Sequence, residues 1–311
     1  MSETNCEKNI IGNCEKTGEA PVLPASIGRY YEDTVPDTTD LAEHGRLALS
    51  YFINTISTDL NYEMPYAGDF RYSRPPAMRA FLGSLSVCQA KCMEAMAFMR
   101  VMCGSTKDLE LEAKMVEMMA SMLGDDGLYW VYPEQSKMGW LCIPEPYTHI
   151  AGQGTMMRAM FTWYQYSGDP VWKQRIDKMV DGIDRLLVVH KDDYAYVPSQ
   201  GFYDGEYLKT LYVKRGFRNY NEPETEKFGE EGGLFNNFRL VPGPLANWYR
   251  LTGNKQALKL SGELIRFALK SKFWSDWKGG EYPGVVGSDH AHWHGGFHGY
   301  VDMLRSILEY A

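Results

Sequence analysis

Apolar positions recur along this chain with the helical period, and the recurrence is interrupted three times by the same punctuation. Phe98-Met-Arg-Val-Met-Cys-Gly104-Ser105, Trp163-Tyr-Gln-Tyr-Ser-Gly168-Asp169-Pro170 and Trp248-Tyr-Arg-Leu-Thr-Gly253-Asn254 each place a bulky helix end before glycine and a small polar residue. Glycine suits the left-handed position that closes a helix, and Ser105, Asp169 or Asn254 suits the cap of the next one, with Pro170 fitted to its first turn. The pattern predicts three αα-hairpins with tight turns.

Charge separates the two arms of each hairpin. The arms before the turns, 84–102 and 150–166, carry few charged residues, which predicts helices buried all round. The arms after the turns, about 107–122, 171–187 and 255–271, hold six, seven and five charges. In the second of these Trp172, Ile176, Met179, Ile183 and Leu186 share one face, the pattern of amphipathic outer helices. A further outer helix is predicted from a capping-box-like Asp40-Leu-Ala-Glu43 through Tyr51 to about Ser57. The last helix runs from Gly296 to Tyr310. Connections from outer to inner helices are long, covering about 58–83, 123–149, 190–231 and 272–295. Because every hairpin runs in the same sense, these long loops are expected at one end of the helix layer, where loops of such length usually carry function.

Composition sharpens this picture. The chain has 311 residues, 44% hydrophobic, 14% aromatic and 23% charged, which excludes a disordered polymer and leaves an unusual load of rings to explain. Those rings concentrate in the long loops, mixed with Asp, Glu and His, a composition suited to polyhydroxylated ligands because rings stack on apolar sugar faces while carboxylates bind hydroxyls. With 32 Lys+Arg against 40 Asp+Glu the net charge is −8, which argues against a nucleic-acid partner. The polar segment 1–35 has no apolar run of signal-peptide or membrane-span length, so a soluble, cytoplasmic chain is expected, with a toroid-like domain over 36–311. Cys6, Cys14, Cys88, Cys92, Cys103 and Cys142 are too few for a disulfide scaffold. Cys88 and Cys92 lie one helical turn apart, and a metal site there would need further ligands that no nearby spacing supplies. No phosphate-binding loop or dinucleotide fingerprint is present, and no cofactor is expected.

The Gly-Asp/Asn turns at 168–169 and 253–254, the loop Gly124-Asp-Asp-Gly-Leu-Tyr-Trp130 and a helix opening with His-x-x-Gly together resemble the (α/α) toroid, or six-hairpin, glycosidases. Pro36-Asp-Thr-Thr-Asp-Leu-Ala-Glu43 and Cys88-Gln-Ala-Lys-Cys-Met-Glu-Ala resemble bacterial proteins of that fold, including relatives of a β-glucuronidase family. The resemblance covers about residues 36–311 and implies an all-α toroid acting on a glycan or oligosaccharide, uronic-acid-containing ones among the candidates. A complete toroid has six hairpins, whereas about eight helices are counted here. A toroid or an incomplete toroid is therefore expected, the open arc favouring closure by a partner subunit, a second copy or an irregular closure.

Glycoside hydrolysis needs two carboxyl groups flanking the scissile bond, one acting as general acid and the other as base or nucleophile. The candidates are Asp125, Asp126, Glu145, Asp204 and Glu206, each in a long loop among aromatics that would exclude water. An Asp-Asp-Gly turn that merely shapes its loop is the competing reading of Asp125 and Asp126. Tyr129, Trp130, His149, Tyr203, Trp274, Trp293, His294 and His298 are the candidate substrate contacts. The run His290-Ala-His292-Trp-His294-Gly-Gly-Phe-His298 is dense in imidazoles, but no carboxylate in it completes a zinc motif, and no metal is expected. A polysaccharide lyase is the alternative, with Tyr203, Tyr207, His294 or His298 abstracting a proton and Arg71, Arg74 or Arg215 neutralising a uronate. A non-catalytic arc that binds a glycan or protein is the third reading.

Overall fold

A computed structural model describes residues 40–65, 67–69, 75, 77–79, 84–132, 148, 150–190, 193–196, 239–269 and 297–311. Among these residues the chain is mostly helical, with eight α-helices: α1 Leu41–Thr55, α2 Ala90–Cys103, α3 Leu109–Ser121, α4 Ile150–Ser167, α5 Pro170–Leu186, α6 Pro242–Thr252, α7 Lys255–Ala268 and α8 Phe297–Tyr310. None is long and apolar enough to cross a membrane. The polar segment 1–35 lies outside the described residues.

All three predicted turns form. Gly104, Gly168 and Gly253 sit at φ of 63°, 68° and 75°, the left-handed region that only glycine enters without strain, and each amide closes onto the carbonyl four residues earlier. Asn254 caps α7 by accepting from Ala257 N at 3.0 Å, and Asp169 accepts from Val171 N at 2.9 Å. Ser105 does not cap α3. It holds only a local turn through Lys107 N, and the chain passes through Asp108 at φ 56° before the helix begins at Leu109. At α1, Asp40 accepts from the amides of Ala42 and Glu43, but Glu43 pairs with Arg46.

The chain divides into two compact units, each with its own packing. The first is built on residues up to Ser121 together with Ala159–Lys173. Here α1 packs on α2, with Gly45 against Met102, where an added Cβ would lie 3.3 Å from the Met102 Cβ. A buried ion pair joins the hairpin arms: Arg100 Nε donates to Glu112 Oε2 at 3.0 Å while Nη1 donates to Ser105 O at 2.8 Å. Both side chains are almost wholly removed from solvent, and Nη2 also lies 3.0 Å from Glu112 Oε2, without hydrogen-bond geometry. Burial pushes the Glu112 carboxyl above its usual range, and the guanidinium offsets part of that rise.

In the second unit α6, α7 and α8 pack on one another, and a strand lies on α7. Pro242 and Pro244 occupy the first turn of α6, where a missing amide costs nothing. Asp177 on α5 accepts from both Trp248 Nε1 at 2.9 Å and Asn254 Nδ2 at 3.1 Å, tying α5 to the α6–α7 turn. On α8, Val301, Leu304 and Leu308 remain exposed along one face.

Two expectations about the helix arms are corrected. Within the mostly helical fold, antiparallel pairs β1 Ala67–Asp69 with β2 Ala77–Arg79, and β3 Val188–His190 with β4 Tyr194–Tyr196, occupy parts of the long connections. Aromatic and β-branched residues in the second pair favour extended backbone. Tyr196 then stacks on Phe267 of α7 with ring centroids 5.3 Å apart. That strand and α8 cover α7, so it is buried over most of its length although its charges marked it as outer. Conversely α2 is not buried all round, since Lys91 and Phe98 face solvent.

Candidate functional site

The Gly124–Trp130 loop is the part of the expected site that the structure describes, and it lies wholly within the second unit. Its backbone folds into a miniature hairpin. Gly124 N donates to Leu128 O at 2.8 Å, Trp130 N to Met122 O at 2.8 Å, and Gly127 N closes the tip onto Gly124 O at 2.9 Å. Gly127 has φ 79°, and a Cβ there would sit 2.1 Å from Lys178 O, so glycine is required for both conformation and space. Facing it, Gly182 of α5 leaves room for Leu128 and the Asp126 carbonyl, which also accepts from Arg185 Nη2. The turn therefore lies flush on α5.

Asp126 is engaged inside this turn. Its Oδ1 accepts from Leu128 N at 3.1 Å, and both carboxylate oxygens lie 3.0 Å from Trp130 Nε1. That is an Asx turn extended to hold an indole. The adjacent Asp125 is exposed.

Tyr129 and Trp130, expected as sugar contacts, are 1% and 4% exposed. Both side chains are packed inside the structure rather than presented to solvent. Tyr129 OH donates to Met122 Sδ at 3.4 Å, and its backbone is read by a side chain of α4. Gln153 Oε1 accepts from Tyr129 N at 2.8 Å, Gln153 Nε2 donates to Tyr129 O at 2.8 Å, and Thr148 Oγ1 donates to the same carbonyl at 2.7 Å. The primary amide thus substitutes for a neighbouring strand. Gln153 is fully buried, and such a group must have its hydrogen bonds satisfied.

Sequence reasoning missed Gln153, Thr148 and Arg185. The available signal was Gly152-Gln153-Gly154, a polar residue between two glycines in an otherwise apolar helix. Gly154 lies against the Leu240 carbonyl, where an added Cβ would come within 2.0 Å.

Of the expected residues, the structure brings together Asp125, Asp126, Tyr129 and Trp130. Glu145, His149, Tyr203, Asp204, Glu206, Tyr207, Trp274, Trp293, His294, Arg71, Arg74 and Arg215 lie outside the described residues, and His298 is described only as backbone at the start of α8. Among the described residues no group of three or more His, Cys, Asp or Glu is placed to hold a metal ion. Neither a protein-family model nor a curated protein matches the chain.

Proposed function

We propose that this chain is a carbohydrate-active enzyme of the toroid-like, helical-hairpin kind, a glycoside hydrolase acting on a glycan or oligosaccharide. The observation that carries the reading is the seated Asp-Asp-Gly turn. Its hydrogen bonds to α4 and α5 fix the backbone, Asp126 locks the tip, and Asp125 is left facing solvent from a rigid support. Carboxylate catalysis needs an acid held at a fixed place, since misplacement by an ångström costs orders of magnitude in rate. On this reading Asp125 is one of the two carboxyl groups. The second comes from Glu145, in the same connection, or from Asp204 or Glu206. Asp126 is then a positioning residue, acting through the turn that presents its neighbour. The aromatic-rich connections supply the sugar contacts.

The test is turnover by the purified chain on glycuronides, neutral aryl glycosides and uronate polysaccharides, following released sugar and the ultraviolet band of unsaturated uronate. Released sugar without that band, lowered about 100-fold or more by Asp125→Asn, is the expected result. The band selects the lyase and moves attention to Tyr203, Tyr207, His294 and His298. Glycan binding without turnover selects the non-catalytic arc.

A further inference from the structure

Within the first unit, a cavity of about 180 Å³ opens between α1 and the entry to α2. Three of the side chains lining it carry sulfur: Met64, Cys88 and Cys92. Local structure explains how they meet. A π-helical turn, Ser84–Gln89, leads into α2, so Cys88 sits in the turn and Cys92 in the first turn of the helix. Residues four apart are neighbours on a helical surface, and π turns inside helices often mark functional positions. Met64 arrives from 24 residues upstream because Gln89 clamps that backbone: its Oε1 accepts from Met64 N at 3.1 Å and its Nε2 donates to Tyr62 O at 2.9 Å. Gln89 and Thr55, polar groups on the wall, are committed to backbone partners, Thr55 through the carbonyls of Tyr51 and Phe52.

Neither cysteine is disulfide-bonded, and both are half-buried. Burial, with a smaller rise from the nearby Cys88 and partly opposed by the Lys91 ammonium, pushes the Cys92 thiol up to about 11. A thiol raised in this way is a poor nucleophile, which argues against a catalytic role for Cys92. Three sulfur-bearing side chains on one cavity wall, beside Gln89 and Thr55 that are already engaged with the backbone, fit an occupant with high affinity for sulfur. Zinc prefers four nitrogen, oxygen or thiolate donors, whereas thiolate with thioether is the donor set that selects Cu(I).

We propose that this cavity is a Cu(I) site, in which the thiolates of Cys88 and Cys92 hold the ion and the Met64 thioether supplies a third soft donor. Binding releases both protons, Cu⁺ plus two thiols giving a Cu(I) dithiolate of net charge −1 and two H⁺, with no change in oxidation state. Lys91, whose field reaches Cys92, offsets the negative charge.

The experiment is anaerobic titration of the full chain with Cu(I) against a chromophoric Cu(I) chelator, together with alkylation mapping of all six cysteines. One Cu(I) per chain is expected, with Cys88 and Cys92 protected from alkylation and affinity falling about 100-fold per unit of decreasing pH, the slope of a two-proton release. Cys88→Ser with Cys92→Ser should abolish binding although the other four thiols remain. Met64→Leu, with unchanged helical circular dichroism, should weaken binding by about tenfold or more. Retention of Cu(I) by the double variant, protection of other cysteines instead, or a pH-independent affinity overturns the proposal. Unchanged affinity in Met64→Leu removes the third donor from it.

Discussion

Replacing Asp126 by Ala removes the acceptor for two donors at once. The Trp130 indole N–H, on a residue 4% exposed, loses its partner without gaining water, and the Leu128 amide loses the bond that makes the Asx turn. Hydrogen bonds to a charged group contribute about 1.5–3 kcal/mol each, and the Leu128 contact, only partly buried, falls at the low end. The expected loss for Asp126→Ala is therefore about 3–4.5 kcal/mol. Asp126→Asn keeps Oδ1 for both donors but sets an amide N–H₂ against the indole N–H in place of Oδ2, so an intermediate loss of about 1–2 kcal/mol is expected. Asp125→Asn, the same chemical change one residue earlier on an exposed side chain, should stay within about 0.5 kcal/mol of the parent. The assay is urea denaturation of the four chains followed by near-ultraviolet circular dichroism, which reports the tryptophan environment. An Asp126→Ala chain within about 0.5 kcal/mol of the parent would refute the account of this turn. So would an Asp125→Asn chain as destabilised as Asp126→Ala.

Other perturbations probe the two units separately. Arg100→Ala should cost about 3–5 kcal/mol in denaturant unfolding because it strands a buried carboxylate, whereas Arg100→Met with Glu112→Leu should be near neutral or stabilising. Since the folded pKa of Glu112 lies above its unfolded value of about 4.5, its favourable contribution is complete below that pH and is lost as pH rises through the folded pKa. Urea midpoints across pH should therefore shift in favour of Glu112→Gln over the parent as pH rises from about 4.5, and the opposite trend would contradict the dominance of burial. Gly253→Ala meets open space and suffers only its positive φ, a cost of about 1 kcal/mol in thermal unfolding. Gly127→Ala adds a collision with the Lys178 carbonyl and should cost distinctly more.

The hairpins were legible because their punctuation is local. Glycine at the left-handed position and a small polar residue after it leave a mark in consecutive residues, and all three turns formed where those marks lie. The inner and outer ranking of arms was less legible, because a charge count does not know what else packs on a helix. Alpha-7 is covered by β4 and α8, which come from opposite directions along the chain. In the candidate site, the Asp-Asp-Gly turn was visible, but the division of labour between its two aspartates was not. It depends on Trp130 folding back over four residues and on Gln153 and Arg185 arriving from helices that no spacing connects to the loop. Met64 beside Cys88 and Cys92 is the same case, created by the clamp of one buried glutamine.

Sugar release by the parent chain and by Asp125→Asn, compared on whichever glycan of the panel turns over fastest, tests the central claim most directly. Hydrolysis by the parent is expected, with a loss of kcat of about 100-fold or more in the variant, the scale of a general acid or base, and with KM and unfolding midpoint unchanged. Equal turnover by the two chains would remove Asp125 from catalysis, and glycan binding with no released sugar from either would contradict the hydrolase reading itself.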